Sequence, residues 1–457
     1  MKKYIKFGYD FFMGGDILPN AYNRKLGEFR YLRSFGHINS NTNIDFTDNI
    51  KKTFGENVYA PTTIDGSVFD TKYYMNREFA FERGHIRNTE KYIYLIKPEP
   101  TFYGFLGISS NGTITNLPFW RFITRDAMSD LKSNRALLVI DYTMEPFIPV
   151  SHYELFTRAI RDSEIPFRNI MILVNSFNAK EYYEKIRFMG KPPRNESYKI
   201  RNLPFCLEYA SYHYGESIKM NKKNCISLNE FESVKRKRRK YKFLMHVKAT
   251  RKRRLEILDY LFEHEYTKYG DYSLLIDEGE RYKLNPFSHL KGISKLPKNL
   301  ESESYAPMDI NAWSIHGRSF ENPRPYVNSY FNICCETIFD ESDMLSLTEK
   351  IFKPIVNFQP FILVGGYNFI NLLKKLGFKT FDPFINESYD NEEDPIQRML
   401  LIKQEIDKLC NMPYDELHEW YLQMEDILVH NHKHLLSHLN GRIHSDSILE
   451  ELYDFVR

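Results

Sequence analysis

The chain predicts an α/β protein, wound from parallel strands and helices in two domains, and three observations carry that prediction. Short apolar runs of the buried-strand kind, at 136–141, 170–175, 241–247, 330–335 and 360–364, alternate with stretches at helical spacing. Charged or glycine-bearing loops follow several of these runs, at the edge where open α/β sheets hold ligands. A length of 457 residues, 42% of them hydrophobic and 15% aromatic, is enough for two cores.

Residues 1–130 read as strands and loops that make up much of the first domain. Aromatics are dense there, among them Tyr73, Tyr74, Phe79, Phe102, Phe119 and Trp120, which serve a core or stack on sugar rings. Strand 136–141 ends in Asp141, a loop follows through Glu145 and Pro146, then a helix over 153–160 and a second strand at 170–175. This β-loop-α-β unit predicts a Rossmann-like first domain.

The run Lys235-Arg236-Lys237-Arg238-Arg239-Lys240 reads as a solvated linker or lip between domains. Nucleic acid or an anionic membrane surface are the other partners of such a run. Strand 241–247 then opens the second domain, followed by Lys248, Arg251, Lys252, Arg253 and Arg254 at the junction with a helix bearing Leu255, Leu258 and Leu261. Cations at such a junction repel one another unless an anion joins them, and a diphosphate does so.

Segment 328–394 carries the densest signal. Glu336-Thr337 sit at the end of strand 330–335, and Ser346 and Glu349 form an S-x-x-E capping box that predicts a helix starting near Leu347. Its free N–H groups, with Lys350 on the first turn, suit an anion, and Pro354 kinks or shortens the helix. A strand at 360–364 stops at Gly365-Gly366, and a helix with Phe369, Leu372 and Leu373 inward ends at Gly377. Phosphates on the N–H groups and Lys350, with Glu349 accepting from ribose hydroxyls, make a nucleotide diphosphate site. The plainer alternative is that Glu349 caps its helix and Lys350 is a surface lysine.

The order Glu336-Thr337, Thr348-Glu349-Lys350, Lys353-Pro354-Ile355, then the PFILVGG strand, LGFKTF and ESYD resembles nucleotide-sugar glycosyltransferases of the GT-B type. It is similar above all to the donor half of α1,3-fucosyltransferases, and its longer form to glycosyltransferases of bacteria and large DNA viruses. The resemblance is close over 328–394 and looser beyond it. Arg251 and Arg254 match the R-x-x-R of the basic loop that opens the donor domain in that family.

The resemblance implies two Rossmann-like domains facing across a cleft, with C-terminal helices: 1–235 on the acceptor side, 236–425 for the nucleotide sugar, and 426–457 a helix packing back on the first domain. It implies a metal-independent, inverting transfer to a glycan or other hydroxyl acceptor, with no cofactor beyond the donor. GDP-fucose is the favoured donor, and a UDP sugar such as xylose or galactose the alternative. Lys248, Arg251, Arg254, Glu336, Thr348, Glu349 and Lys350 become the donor-site residues. Inversion needs a general base, for which Glu145 is favoured and Asp141 second, ahead of His152, Glu78 and Glu82. Both carboxylates as plain turn residues is the other reading. Trp313 or Tyr326 are candidates to stack on the nucleobase.

Lys and Arg total 63 against 60 Asp and Glu, so the net charge of +3 excludes a general polyanion binder. Cys206, Cys225, Cys334, Cys335 and Cys410 form no C-x-x-C pair, which predicts a reducing compartment. Neither a signal peptide nor a membrane span is legible, so a cytoplasmic protein is expected, with at most peripheral membrane contact. His430, His432, His434 and His438 read as a surface cluster rather than a metal site. A rival from another class is a non-catalytic binding protein that uses 235–254.

Overall fold

The computed structural model describes residues 3–8, 11–13, 30–32, 58–59, 79–84, 91–96, 125–143, 160–161, 163–182, 184, 199–220, 224–247, 251–274, 323–340, 344–438 and 443–457. It is an α/β protein with two parallel sheets in two compact units, Met1–Phe205 with Ile443–Arg457, and Cys206–Arg442. No helix among the described residues is long and apolar enough to cross a membrane.

In the first unit, strands β1 (Lys3–Gly8), β5 (Phe79–Gly84), β6 (Tyr92–Ile96), β7 (Ala136–Tyr142), β8 (Ile170–Val174) and β9 (Lys199–Asn202) form one parallel sheet in the order β5-β1-β6-β7-β8-β9. Strands β2 (Phe11–Met13), β3 (Arg30–Leu32) and β4 (Val58–Tyr59) make a small antiparallel sheet. Every residue of β7 and β8 is buried, as expected for central strands covered on both faces. Helix α1 (Arg125–Lys132) supplies Ala127 and Leu131 to the cluster around Leu138, Ile140 and Ile172. The last helix of the chain, Ile443–Val456, packs on β1 and β6 of this unit. Its Glu451 is held by Arg201 and Lys199, each at 2.7 Å.

The second unit opens with helices α2 (Phe205–Lys219) and α3 (Leu228–Val234). The boundary expected after residue 235 therefore lies instead at 205/206. The reason is local: Ile226 N–H donates to Asn357 Oδ1 at 3.1 Å, and Phe231 stacks on Phe358 with centroids 4.2 Å apart. Strands β10 (Tyr241–Val247), β11 (Gly270–Leu274), β12 (Ser329–Cys335) and β13 (Phe361–Val364) form a parallel sheet in the order β11-β10-β12-β13. Between them run α4 (Lys252–Glu263), α5 (Arg324–Asn328) and α6 (Glu349–Val356). The first residue of β11 has to be glycine, because a Cβ on Gly270 would lie 2.0 Å from the Phe243 ring. The chain steps from β10 to β11 on one side and then returns to lay β12 on the other. The topological switch point is thus between β10 and β12, where such sheets bind ligands.

After β13 come α7 (Phe369–Lys375), α8 (Pro395–Asn411), α9 (Tyr414–Leu422) and α10 (Glu425–Ser437). Helix α10 stays with the second unit rather than joining the last helix as one 426–457 segment. Gly377 has φ +90, the left-handed cap its position predicts, and a side chain there would meet His434. Of the four histidines expected as a surface cluster, His430, His434 and His438 do pack together and stay partly exposed, whereas His432 is buried. Its Nδ1 lies 2.8 Å from the Val356 carbonyl, while His434 and His430 reach the carbonyls of Leu376 and Gly377 at 2.7 and 3.1 Å. These three take up open carbonyls at the ends of α6 and α7. No group of three metal-binding side chains occurs among the described residues.

The ESYD stretch is structural. Glu387 accepts from Phe381 N–H at 2.7 Å, the Tyr389 hydroxyl accepts from Leu363 N–H at 3.2 Å, and Asp390 accepts from the N–H groups of Ile370 and Asn371 at 2.8 and 2.9 Å. Asp390 thereby caps α7, whose own N-cap residue, Asn368, has left-handed backbone and makes no side-chain cap bond. Asp390→Ala is expected to destabilise the second unit by about 1–2 kcal/mol, the usual cost of losing a cap. A lower urea midpoint at unchanged slope is the reading, with Asp390→Asn losing less.

Candidate functional site

The site is built where β10 and β12 leave the sheet. Glu336 is the first residue after β12, and its side chain turns inward, 4% exposed. A buried carboxylate demands donors, and Glu336 has three: Thr348 N–H at 3.1 Å, the Thr348 hydroxyl at 2.5 Å and Thr337 N–H at 3.2 Å. Burial still raises its pKa, although Lys350 and Thr348 pull the other way.

This tie decides where α6 begins. The Ser346–Glu349 box does not form. Thr348 is the N-cap, its hydroxyl accepting from Lys350 N–H at 3.4 Å, and Glu349 is the first helical residue. The chain from Ser346 to Thr348 is drawn onto Glu336 and cannot be helical there. Pro354 lies inside the helix, which ends two residues later, and Phe358 with φ +53 turns the chain toward β13.

Lys350 is the centre of the polar group. Its Nζ donates to Glu349 Oε1 at 3.0 Å, Thr348 Oγ1 at 3.1 Å and Thr337 Oγ1 at 3.4 Å, and its side chain stays 28% exposed. Burial alone would push the Glu349 carboxyl up, but Lys350 and Lys353 outweigh it and hold it at about 2. Burial likewise pulls Lys350 down, yet Glu349 and Glu336 leave it above its ordinary value. The Cys206 thiol lies against the same group: burial pushes it well up, Glu349 adds to that, and the Glu349 amide bonds to it.

The basic turn reaches this group from β10. Arg251, the N-cap residue of α4, donates from Nη1 to the Thr337 carbonyl at 3.0 Å. Arg254 is buried, and its Nη2 meets the carbonyls of Glu336 and Cys335 at 3.3 and 3.5 Å. The predicted site residues Arg251, Arg254, Glu336, Thr348, Glu349 and Lys350 are thus brought together, with Thr337 as the residue shared between arginine and lysine. Lys248 lies outside the described residues. Comparison of the chain with protein-family models, with curated proteins and with solved structures finds no match.

Other expectations fare differently. Asp141, at the end of β7, is buried and accepts from Thr143 N–H at 3.2 Å and the Thr143 hydroxyl at 2.7 Å, so its carboxylate holds its own turn. Glu145, His152, Glu78 and Trp313 lie outside the described residues, as does the side chain of Glu82. Tyr326 is buried, edge-on to His246 at 5.9 Å. The basic run is solvated at most of its positions but anchored at Arg239 and Lys235. Arg239 is buried and gives Nη1 to the carbonyls of Tyr326, Val327 and Ser329 at 2.6 to 3.0 Å, while its guanidinium lies 4.1 Å from the Tyr421 ring centroid. Lys235 pairs with Glu232 and Glu425, and Arg238 with Asp415. Arg236, Lys237, Arg238 and Lys240 stay exposed, so the run keeps a solvated charged face beside these ties.

Arg398 and Phe339 escaped sequence reading. Arg398 sits in an amphipathic pattern as an ordinary exposed position, yet it is fully buried against Phe339.

The shifted groups set a pH window. Glu349 lies below the roughly 4.3 of an unfolded glutamate, so its stabilisation is complete above that value and is lost as pH falls toward about 2. Lys350 is raised, so its contribution is complete below the unfolded lysine value of about 10.4 and is lost as pH rises through the folded one. Glu336 runs oppositely: its raised pKa means that ionisation costs stability, which returns as pH falls. Melting temperature against pH should show a steeper acid loss between about pH 4 and 2 for the wild type than for Glu349→Gln.

Proposed function

We propose that the second unit holds the diphosphate of a nucleotide sugar at its switch point, and that the chain is a metal-independent glycosyltransferase with two Rossmann-like domains of the GT-B type. The observation that carries this is the meeting of Arg251 and Lys350 on Thr337, one on its carbonyl and the other on its hydroxyl. Two segments far apart in sequence thereby place cations at one loop, beside the opening of α6. Open α/β sheets bind nucleotides at this kind of position.

In this reading the diphosphate displaces Glu349 from Lys350 and takes N–H groups of the first turn of α6. Glu349, released, accepts from ribose hydroxyls. As the glycosidic bond breaks, negative charge grows on the leaving diphosphate. Lys350 and Arg251 stabilise it without reorganising, because both are already fixed on Thr337. Arg254 contributes from behind the loop, since its fork is engaged by carbonyls. Glu336 holds the loop rather than facing the sugar. GDP-fucose is the donor that the sequence resemblance favours, and a UDP sugar the alternative. The acceptor and its general base belong to the first unit, with Glu145 the preferred base because Asp141 is engaged by its own turn.

Calorimetry with GDP and UDP is the direct test. One of them should bind, and Lys350→Ala should weaken it about 10- to 100-fold, the worth of a hydrogen bond to a charged group. Transfer or slow hydrolysis from a panel of GDP and UDP sugars should follow the same preference. Neither nucleotide binding at millimolar concentration would sink the reading.

A further inference from the structure

The loop after β12 is gripped from a side that the proposed chemistry does not use. Its carbonyls at Cys335 and Glu336 are met by Arg254, at Thr337 by Arg251, and at Phe339 by Nη2 of Arg398. Phe339 is buried between two guanidinium groups, with Arg253 5.2 Å and Arg398 4.7 Å from its ring centroid. Arg253 also donates from Nε to Asp340 at 2.8 Å and from Nη1 to Glu256 at 2.8 Å, and Lys403 of α8 joins Glu256 at 3.2 Å. Helices α4 and α8 are thereby tied to one loop.

Arg398 is the unusual member. It is 0% exposed, and its hydrogen bonds go to carbonyls, those of Glu392 and Glu393 at 2.6 and 3.3 Å besides Phe339, with no carboxylate among them. Its Nε is buried without a hydrogen-bond partner, and burial lowers the pKa of the group. Burying a cation this way is costly, and apolar residues of similar volume are often as stable or more so. Stability is therefore a poor reason for its presence. What it does supply is geometry. A planar fork bonds the start of α8 on one side and the loop on the other while its face covers Phe339, which a lysine ammonium cannot do.

We propose that Arg398 is a positioning residue for the diphosphate end of the site, acting through Phe339 on Thr337. The proposal rests on the reading of the preceding subsection. Phe339 is two residues from Thr337, where Arg251 and Lys350 meet. A loop free to shift at Phe339 carries the Thr337 carbonyl and hydroxyl away from both cations, and they lose the arrangement that receives the phosphates.

The test compares wild type with Phe339→Leu, Arg398→Met and Arg398→Lys, using calorimetry with GDP and UDP and, for each, the corresponding nucleoside. The expected result is about a tenfold weaker diphosphate affinity in all three variants, as for a charged partner displaced rather than removed. Nucleoside affinity should be unchanged. A merely structural role would weaken nucleoside and diphosphate alike, and that outcome overturns the proposal. So does full rescue by Arg398→Lys, which would show that charge alone suffices. Should Arg398→Met fail to fold, Phe339→Leu decides, and unchanged diphosphate affinity there overturns it. If wild type binds neither nucleotide, the diphosphate site itself fails and this inference falls with it. Wild-type binding that survives Phe339→Leu defeats this inference alone.

Discussion

The buried carboxylate of Glu336 is the constraint on which the ligand edge of the second unit depends. A carboxylate taken out of water at a strand end is unfavourable unless its oxygens find donors. The donors it finds are the amide and hydroxyl of Thr348 and the amide of Thr337. Through them the end of β12 and the start of α6, separated by the stretch 337–347, are fixed to one another. The helix can then begin only at Glu349, which puts Lys350 on its first turn and within reach of Thr337. Burial lifts the Glu336 pKa, and the lysine it helps to place is the group that most opposes that lift. Anchor and cation therefore depend on each other.

The same economy explains what became of the basic residues. Clustered cations in a sequence suggest an anionic ligand, but a folded chain contains another set of partly negative partners, the carbonyls at helix ends and in loops. Arg239 takes carbonyls at the end of α5 and the start of β12, Lys242 those of Cys410 and Met412 after α8, and Arg398 those before α8. Three histidines of α10 do likewise at the ends of α6 and α7. Part of the positive charge is thus internal mortar. At the ligand edge itself, Arg251 and Lys350 are the cations that meet on one loop while staying partly open to water.

How much of this was legible depends on the kind of force involved. The strands could be read because a run such as 361–364 or 170–174 is apolar at every position, and that alone requires cover on both faces. Gly377 could be read because only a left-handed cap explains a glycine just past an apolar face. The convergence of Arg251 with Lys350 followed from placing each at a strand's carboxyl end. The choice of Thr348 over Ser346 as N-cap could not be read, since both carry a hydroxyl and the decision is made by Glu336, ten or more residues away. The unit boundary was misplaced because the charge of 235–240 suggested solvent, whereas Phe231 and Ile226, less conspicuous, anchor the segment before it to Phe358 and Asn357. Arg398 was invisible for the same reason: nothing local distinguishes a buried arginine from an exposed one.

A site assembled in this way has a consequence for how a ligand enters it. Lys350 is already satisfied by Glu349 and two hydroxyls, so the diphosphate we propose as ligand would gain only the difference between its own contacts and those it replaces. The Glu349 contact is the one most easily exchanged. It joins adjacent residues, both partly open to water, so a phosphate can reach the lysine from the solvent side and take the carboxylate's place. Glu336 holds the Thr348 hydroxyl and the Thr337 amide, so both threonines stay in place. An incoming phosphate therefore meets a lysine whose position is set by groups that stay, while the group that departs is a carboxylate free to find ribose hydroxyls. On the transferase proposal, charge developing on a leaving diphosphate would face donors fixed before the reaction begins, which is the condition under which electrostatics lowers a barrier rather than merely tightening binding.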